Sequence, residues 1–147
     1  MKLKFFPLYF LILALFFSCA TYSPQYRNTE TSYTYPTTKT IEKTFYLVGD
    51  AGKSPLGGMS DALTAYKNYI KDKDTEGNFT IFLGDNIYPD GMPPKSSPDR
   101  ARAAYMIDAQ VASVADFKGQ VYFIPGNHEW YNNGLEGVKR QQDYLEE

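Results

Sequence analysis

Three short runs, Thr44 to Val48, Phe79 to Leu83 and Gln120 to Ile124, are built from β-branched and aromatic residues and bounded by Gly, Asn, Asp or Pro. Continuous apolarity over about five residues is the pattern of strands buried on both faces, and predicts three parallel strands. The segments between them carry a different period. Ser60 stands where a helix N-cap belongs, and Leu63, Tyr66 and Ile70 follow on one face before Lys71 and Lys73 end the pattern. A second helix opens at Pro98 or Asp99, with Ala104, Ile107, Val111 and Val114 as its apolar stripe, and closes near Gly119. The predicted order is β-α-β-α-β, an α/β fold whose right-handed crossovers bring all three strand ends to one edge. Leu135, Val138, Gln142 and Leu145 share a further helical face that runs to the last residues, the pattern of a domain continuing past Glu147, and the chain reads as C-terminally truncated.

Ahead of this domain the pattern changes twice. Met1-Lys2-Leu3-Lys4 and the apolar stretch Phe5 to Phe17 have the charge and length of a secretory signal, too short for a membrane span. Residues 20–43 are dominated by Thr, Ser, Tyr, Pro, Asn and Gln, a composition that cannot offset the entropy of ordering and predicts a tether. The divisions are therefore a leader over 1–19, a tether over 20–43 and a domain over 44–147.

Charge and cysteine usage narrow the function. Removing Lys2 and Lys4 with the leader leaves 13 basic and 17 acidic residues, a net charge of -4, and no polybasic patch points to nucleic acid. One cysteine excludes a disulfide framework and a Cys-rich zinc module. That cysteine, Cys19, follows Phe16-Phe17-Ser18 and precedes Ala20, which resembles the lipid-modified position of a bacterial lipoprotein signal. The resemblance implies an exported protein anchored to a membrane of the cell envelope through acyl chains. The alternative is an ordinary signal peptide cut after Ala20, releasing a soluble secreted or periplasmic protein.

The chemistry lies at the strand ends. Gly49-Asp50-Ala51-Gly52, Gly84-Asp85-Asn86-Ile87-Tyr88 and Gly126-Asn127-His128-Glu129 each follow a predicted strand. Any one is explained as an Asx turn or helix cap. Three at matching places gather hard oxygen donors at the carboxyl edge of a parallel sheet, where α/β folds bind ligands and where hard cations find suitable partners. Two cations at such an edge neutralise a phosphoester and activate its nucleophile, given a bridging carboxylate. Asp85, on the central turn, suits the bridge, with Asp50 and Asn127 as outer ligands and Tyr88 as a phenolate.

These blocks, GDAG, GDNIY and GNHE, resemble the first three of five blocks of the calcineurin-like metallophosphoesterases, specifically the purple acid phosphatase branch, over Thr44 to about Leu145. In the wider superfamily a His follows the first Asp by two places. Gly52 stands there instead, and Tyr88 is the compensating ligand of this branch. The resemblance implies Asp50 and Tyr88 on a first, ferric ion, Asp85 as the bridge, and Asn127 on a second, divalent ion (iron, zinc or manganese). It implies His128 as a catalytic group hydrogen-bonding the phosphoryl or leaving-group oxygen, with Glu129 fixing its tautomer. The substrate implied is a phosphate monoester on a small molecule or protein. Trp130 and Tyr131 suit a pocket wall or a core equally, and Lys95 and Arg100 stand in a Pro-rich loop beside Tyr88. The family's later blocks add three histidines, whereas His128 is the single histidine here. A catalytically inactive surface lipoprotein, using the half-domain as a binding or structural module, is the alternative reading.

Overall fold

The computed structural model describes residues 40–147, and Thr40–Glu147 forms one compact unit. The leader, Cys19 and most of the tether lie outside the described residues. Three strands, β1 (Phe45–Val48), β2 (Phe79–Phe82) and β3 (Gln120–Phe123), form a parallel sheet in the order β1-β2-β3. Phe45 pairs with Phe79 and Phe79 with Gln120, so the strands are in step and finish level. β1 starts one residue later than its apolar run, and β2 and β3 each stop one residue earlier, where the chain turns into an oxygen-bearing loop.

Helix α1 (Asp61–Ile70) follows β1 and helix α2 (Arg100–Ser113) follows β2. The Ser60 side chain accepts from the Leu63 amide and caps α1. Both crossovers place their helices on one face of the sheet, where Leu63, Ile70, Ala109 and Val114 enclose Phe82, itself fully buried. Phe82 stacks on Phe123 with ring centroids 4.4 Å apart. Tyr66 crosses from α1 to the buried Thr80 through a 2.6 Å hydroxyl–hydroxyl bond, which satisfies both groups in the core.

The opposite face is open, which corrects the expectation of burial on both sides. Phe45, Leu47 and Tyr122 are each about half exposed or more, and Phe79 bridges Phe45 and Tyr122 in a stacked row. The runs are apolar on both faces, yet only one has a covering layer among the described residues.

Beyond β3 the chain makes a 3-10 turn (His128–Trp130) and then helix α3 (Leu135–Glu146). Two helical faces differ from expectation. In α2 the buried residues are Ala103, Met106, Ile107, Ala109, Gln110 and Ser113, while Val111 is exposed. The arc is wide because α2 packs on the sheet with one flank and, with the other, on Ile87, Met92, Tyr144 and Leu145. In α3 the face through Gly137 and Gln141 is buried and Leu135 is exposed. Gly137 sets that rotation, since a Cβ there would stand 2.6 Å from the Asn132 carbonyl oxygen. Arg140 then fastens the helix by donating to the Met92 and Asn132 carbonyls.

Candidate metal centre

The three turns come together at the carboxyl edge through their backbones before any side chain is considered. The Gly52 amide donates to the Asp85 carbonyl at 3.0 Å and the Tyr88 amide donates back to the Gly52 carbonyl at 3.0 Å. A Cβ on Gly52 would lie 2.3 Å from the Asn86 carbonyl carbon, so this approach requires glycine. The second and third turns are as close, since a Cβ on Gly126 would stand 2.3 Å from Asp85 Oδ1.

Asp50 and Asp85 both occupy left-handed backbone, with φ of 54° and 51°. Aspartate tolerates this region better than most residues, at a cost of roughly 1–2 kcal/mol. Such strain, persisting at two matching turns, is characteristic of functional sites. It aims the side chains at each other. The Tyr88 hydroxyl lies 2.7 Å from Asp50 Oδ1 and 2.9 Å from Asp85 Oδ2, joining the two carboxylates through one oxygen. The bond to Asp50 chiefly, with desolvation and the bond to Asp85 behind it, pushes the Tyr88 phenol well above its usual range. In the metal-free chain Tyr88 is thus a neutral hydrogen-bond donor, not the phenolate foreseen for the loaded site.

His128 sits at the rim of this cluster. Its backbone amide donates to Asp85 Oδ1 at 3.3 Å, and its Nε2 is 3.9 Å from Asp85 Oδ2. Its ring lies between Tyr88 and Tyr131, with centroids 4.3 and 4.8 Å away. The Nδ1 of His128 bonds the Pro89 carbonyl, so the backbone of the Tyr88 loop fixes the tautomer that carries its proton on Nδ1. This corrects the expectation for Glu129, whose carboxylate faces the opposite way, into the protein. Asn127 is exposed beside His128, and its Nδ2 donates to the Tyr131 hydroxyl at 2.6 Å, so its side chain is engaged by Tyr131 rather than by the carboxylates of the cluster. Trp130 and Tyr131 are both exposed rather than part of a core, and of the two Tyr131 packs on the His128 ring. Lys95 pairs with Glu147 at 2.5 Å, and Arg100 donates to the Pro93 carbonyl, so neither cation is directed at the cluster.

Motif reading passes over Asn86 and gives Glu129 a different role from the one the fold shows. Asn86 is fully buried and acts as a hub: its Nδ2 donates to the Ile124 carbonyl and its own carbonyl accepts from Gln110. Glu129 is fully buried and accepts from backbone amides of the second and third turns. Neither role has a local sequence signal, because both depend on segments about forty residues apart.

The donor set fits one side of a metal centre. Two carboxylates and a phenol are hard oxygen donors, and the Tyr88 hydroxyl oxygen, within hydrogen-bond distance of both carboxylates, marks the place where a cation would neutralise both. The set does not enclose an ion by itself. Among the described residues no group of three or more His, Cys, Asp or Glu side chains is placed to hold a metal.

A three-stranded parallel sheet with strand-end turns carrying Asp, Asp-x-x-Tyr and Asn-His defines half of a phosphoesterase domain, and the family profile agrees. Calcineurin-like phosphoesterase matches residues 43–146, and the chain belongs to that family. Purple acid phosphatase 7 from Arabidopsis thaliana is 27% identical over 103 residues, covering 68% of this chain. The aligned segment is 30% of that relative's length. No solved structure gives a significant match.

Proposed function

We propose that this chain supplies the oxygen-donor half of a dinuclear metal centre that hydrolyses phosphate monoesters. The observation that carries the reading is the Tyr88 hydroxyl, bonded at once to the carboxylates of Asp50 and Asp85. The family is metal-dependent, and the similarity to a purple acid phosphatase favours a ferric ion beside a divalent iron, zinc or manganese ion. Asp50 and Tyr88 would hold the first ion, Asp85 would bridge, and Asn127 would present Oδ1 to the second. When bound, the pair supplies charge neutralisation for the phosphoryl group and activation of its nucleophile.

The chain's own residues do the rest. His128, with Nδ1 engaged by Pro89, turns Nε2 to the side of the cluster where a phosphoryl or leaving-group oxygen would sit, and hydrogen-bonds it there. Tyr131 packs on the His128 ring and flanks it on the side away from Tyr88. The substrate is a phosphorylated small molecule or protein. Export, with anchoring to an envelope membrane through a lipidated Cys19, completes the reading and rests on the leader sequence alone.

Ferric loading tests the assignment directly. A visible tyrosinate-to-iron absorption band is expected in the loaded protein, and Tyr88→Phe should abolish it. In the longest natural form of the protein, Asp85→Asn should lower p-nitrophenyl phosphate hydrolysis by on the order of 10²-fold or more. A band that survives Tyr88→Phe overturns the ligand set, and full activity in Asp85→Asn overturns the bridge.

A further inference from the structure

Glu129 is completely buried, yet it is paired with none of the basic side chains in the described residues. A carboxylate in that position requires other partners. It finds four. Oε1 accepts from the amides of Asn86 at 2.8 Å and Ile87 at 3.1 Å, and Oε2 accepts from Asp85 at 2.9 Å and Gly126 at 2.6 Å. Three consecutive amides converging on one anion form a backbone nest, a concavity that in other settings binds a phosphate or a free ion. Here the chain's own carboxylate fills it from behind.

We propose that Glu129 is the positioning residue of the metal centre: it locks Asp85 in its left-handed conformation and ties the second turn to the third, so that the Asp85 carboxylate is held ready for its ions. This rests on the metallophosphoesterase reading above. The nest exists only while Asp85 stays at φ 51°, so each bond to Glu129 opposes relaxation to ordinary backbone. The shared Oε2 sets the spacing between Asp85 and Gly126, and with it the donation from the His128 amide to Asp85 Oδ1. All four of these bonds are to backbone amides and none is to the Tyr88 hydroxyl, so Glu129 acts on the cluster through the turns that carry Asp85. The charge-assisted bonds account for the choice of a carboxylate: a glutamine would turn two N–H donors toward two others.

The test uses the full chain: backbone amide exchange of the isotope-labelled protein is followed by NMR without metal, and Mn²⁺ binding is titrated separately by EPR. In the wild type the amides of Asp85, Asn86, Ile87 and Gly126 should be protected from exchange. In Glu129→Gln they should exchange about 10-fold faster or more, and the Mn²⁺ dissociation constant should rise about 10- to 100-fold with helix content preserved. Glu129→Asp, which restores both acceptor oxygens, should recover part of that affinity, and it carries the comparison alone where Glu129→Gln does not fold. Wild-type Mn²⁺ affinity in either variant's folded fraction, whatever its thermal stability, overturns the proposal. A wild type that takes up no Mn²⁺ overturns the metal reading itself, and the first titration tells the two apart.

Discussion

At the scale of single residues, three tyrosines hold their protons more tightly than usual: Tyr66, through burial, and, more strongly, Tyr144 and Tyr88. Burial, with the bond to Asp108 behind it, pushes the Tyr144 phenol up to about 12, against the opposing pull of Arg100. Tyr88 is raised by its carboxylate partners. For both, the folded state binds the proton more strongly than the unfolded chain, whose tyrosines titrate near ~10. Their contribution is therefore complete below about pH 10 and is lost as pH climbs through the folded values. Urea unfolding of the metal-free chain should show a lower midpoint at pH 11 than at pH 8, and Tyr88→Phe with Tyr144→Phe should shrink that difference. An equal drop in the double variant would show that other groups govern the alkaline limb.

The elements owe their positions to a small number of contacts. Phe82 is the centre of the sheet's covered face, stacked on Phe123 and ringed by α1 and α2. Phe82→Ala should destabilise the unit by about 3–5 kcal/mol, read as a shift in urea midpoint at unchanged slope. The strands were legible in the sequence to within a residue because aromatic and β-branched runs bounded by Gly, Asn and Asp have few other uses. Other features were not legible. Phe45 and Leu47 look as buried as Tyr46 and Val48, since a local run cannot say whether a second layer covers it. The buried face of α3 depends on Gly137 meeting a carbonyl from another segment, which no helical period encodes. At the site, Asp50, Asp85 and Tyr88 could be gathered from motif spacing, whereas Glu129 could not be assigned its role. A carboxylate following a histidine suggests a partner for that ring, and only the folded chain shows it turned toward four amides.

For the molecule as a whole, the donor set and the open sheet face tell the same story. The cluster presents oxygens from one side, and the row of Phe45, Phe79 and Tyr122 is exposed. The aligned segment spans less than a third of its curated relative. The 147 residues on their own should therefore bind Mn²⁺ weakly and release no p-nitrophenol from its phosphate ester above background. Turnover at a rate typical of complete enzymes would mean that the half-centre suffices.

The carboxylate at Glu129 also orders events in time. It lies 43 residues beyond the Asn86 amide it secures, so a chain leaving the ribosome exposes the Asp85 turn well before its clasp has been made. Until β3 is laid down and the 3-10 turn closes, nothing obliges Asp85 to adopt its costly backbone, and the loop-closure entropy is repaid only at that late step. On the proposed assignment, the Asp85 turn would thus be fixed for its ions only once the third turn is in place.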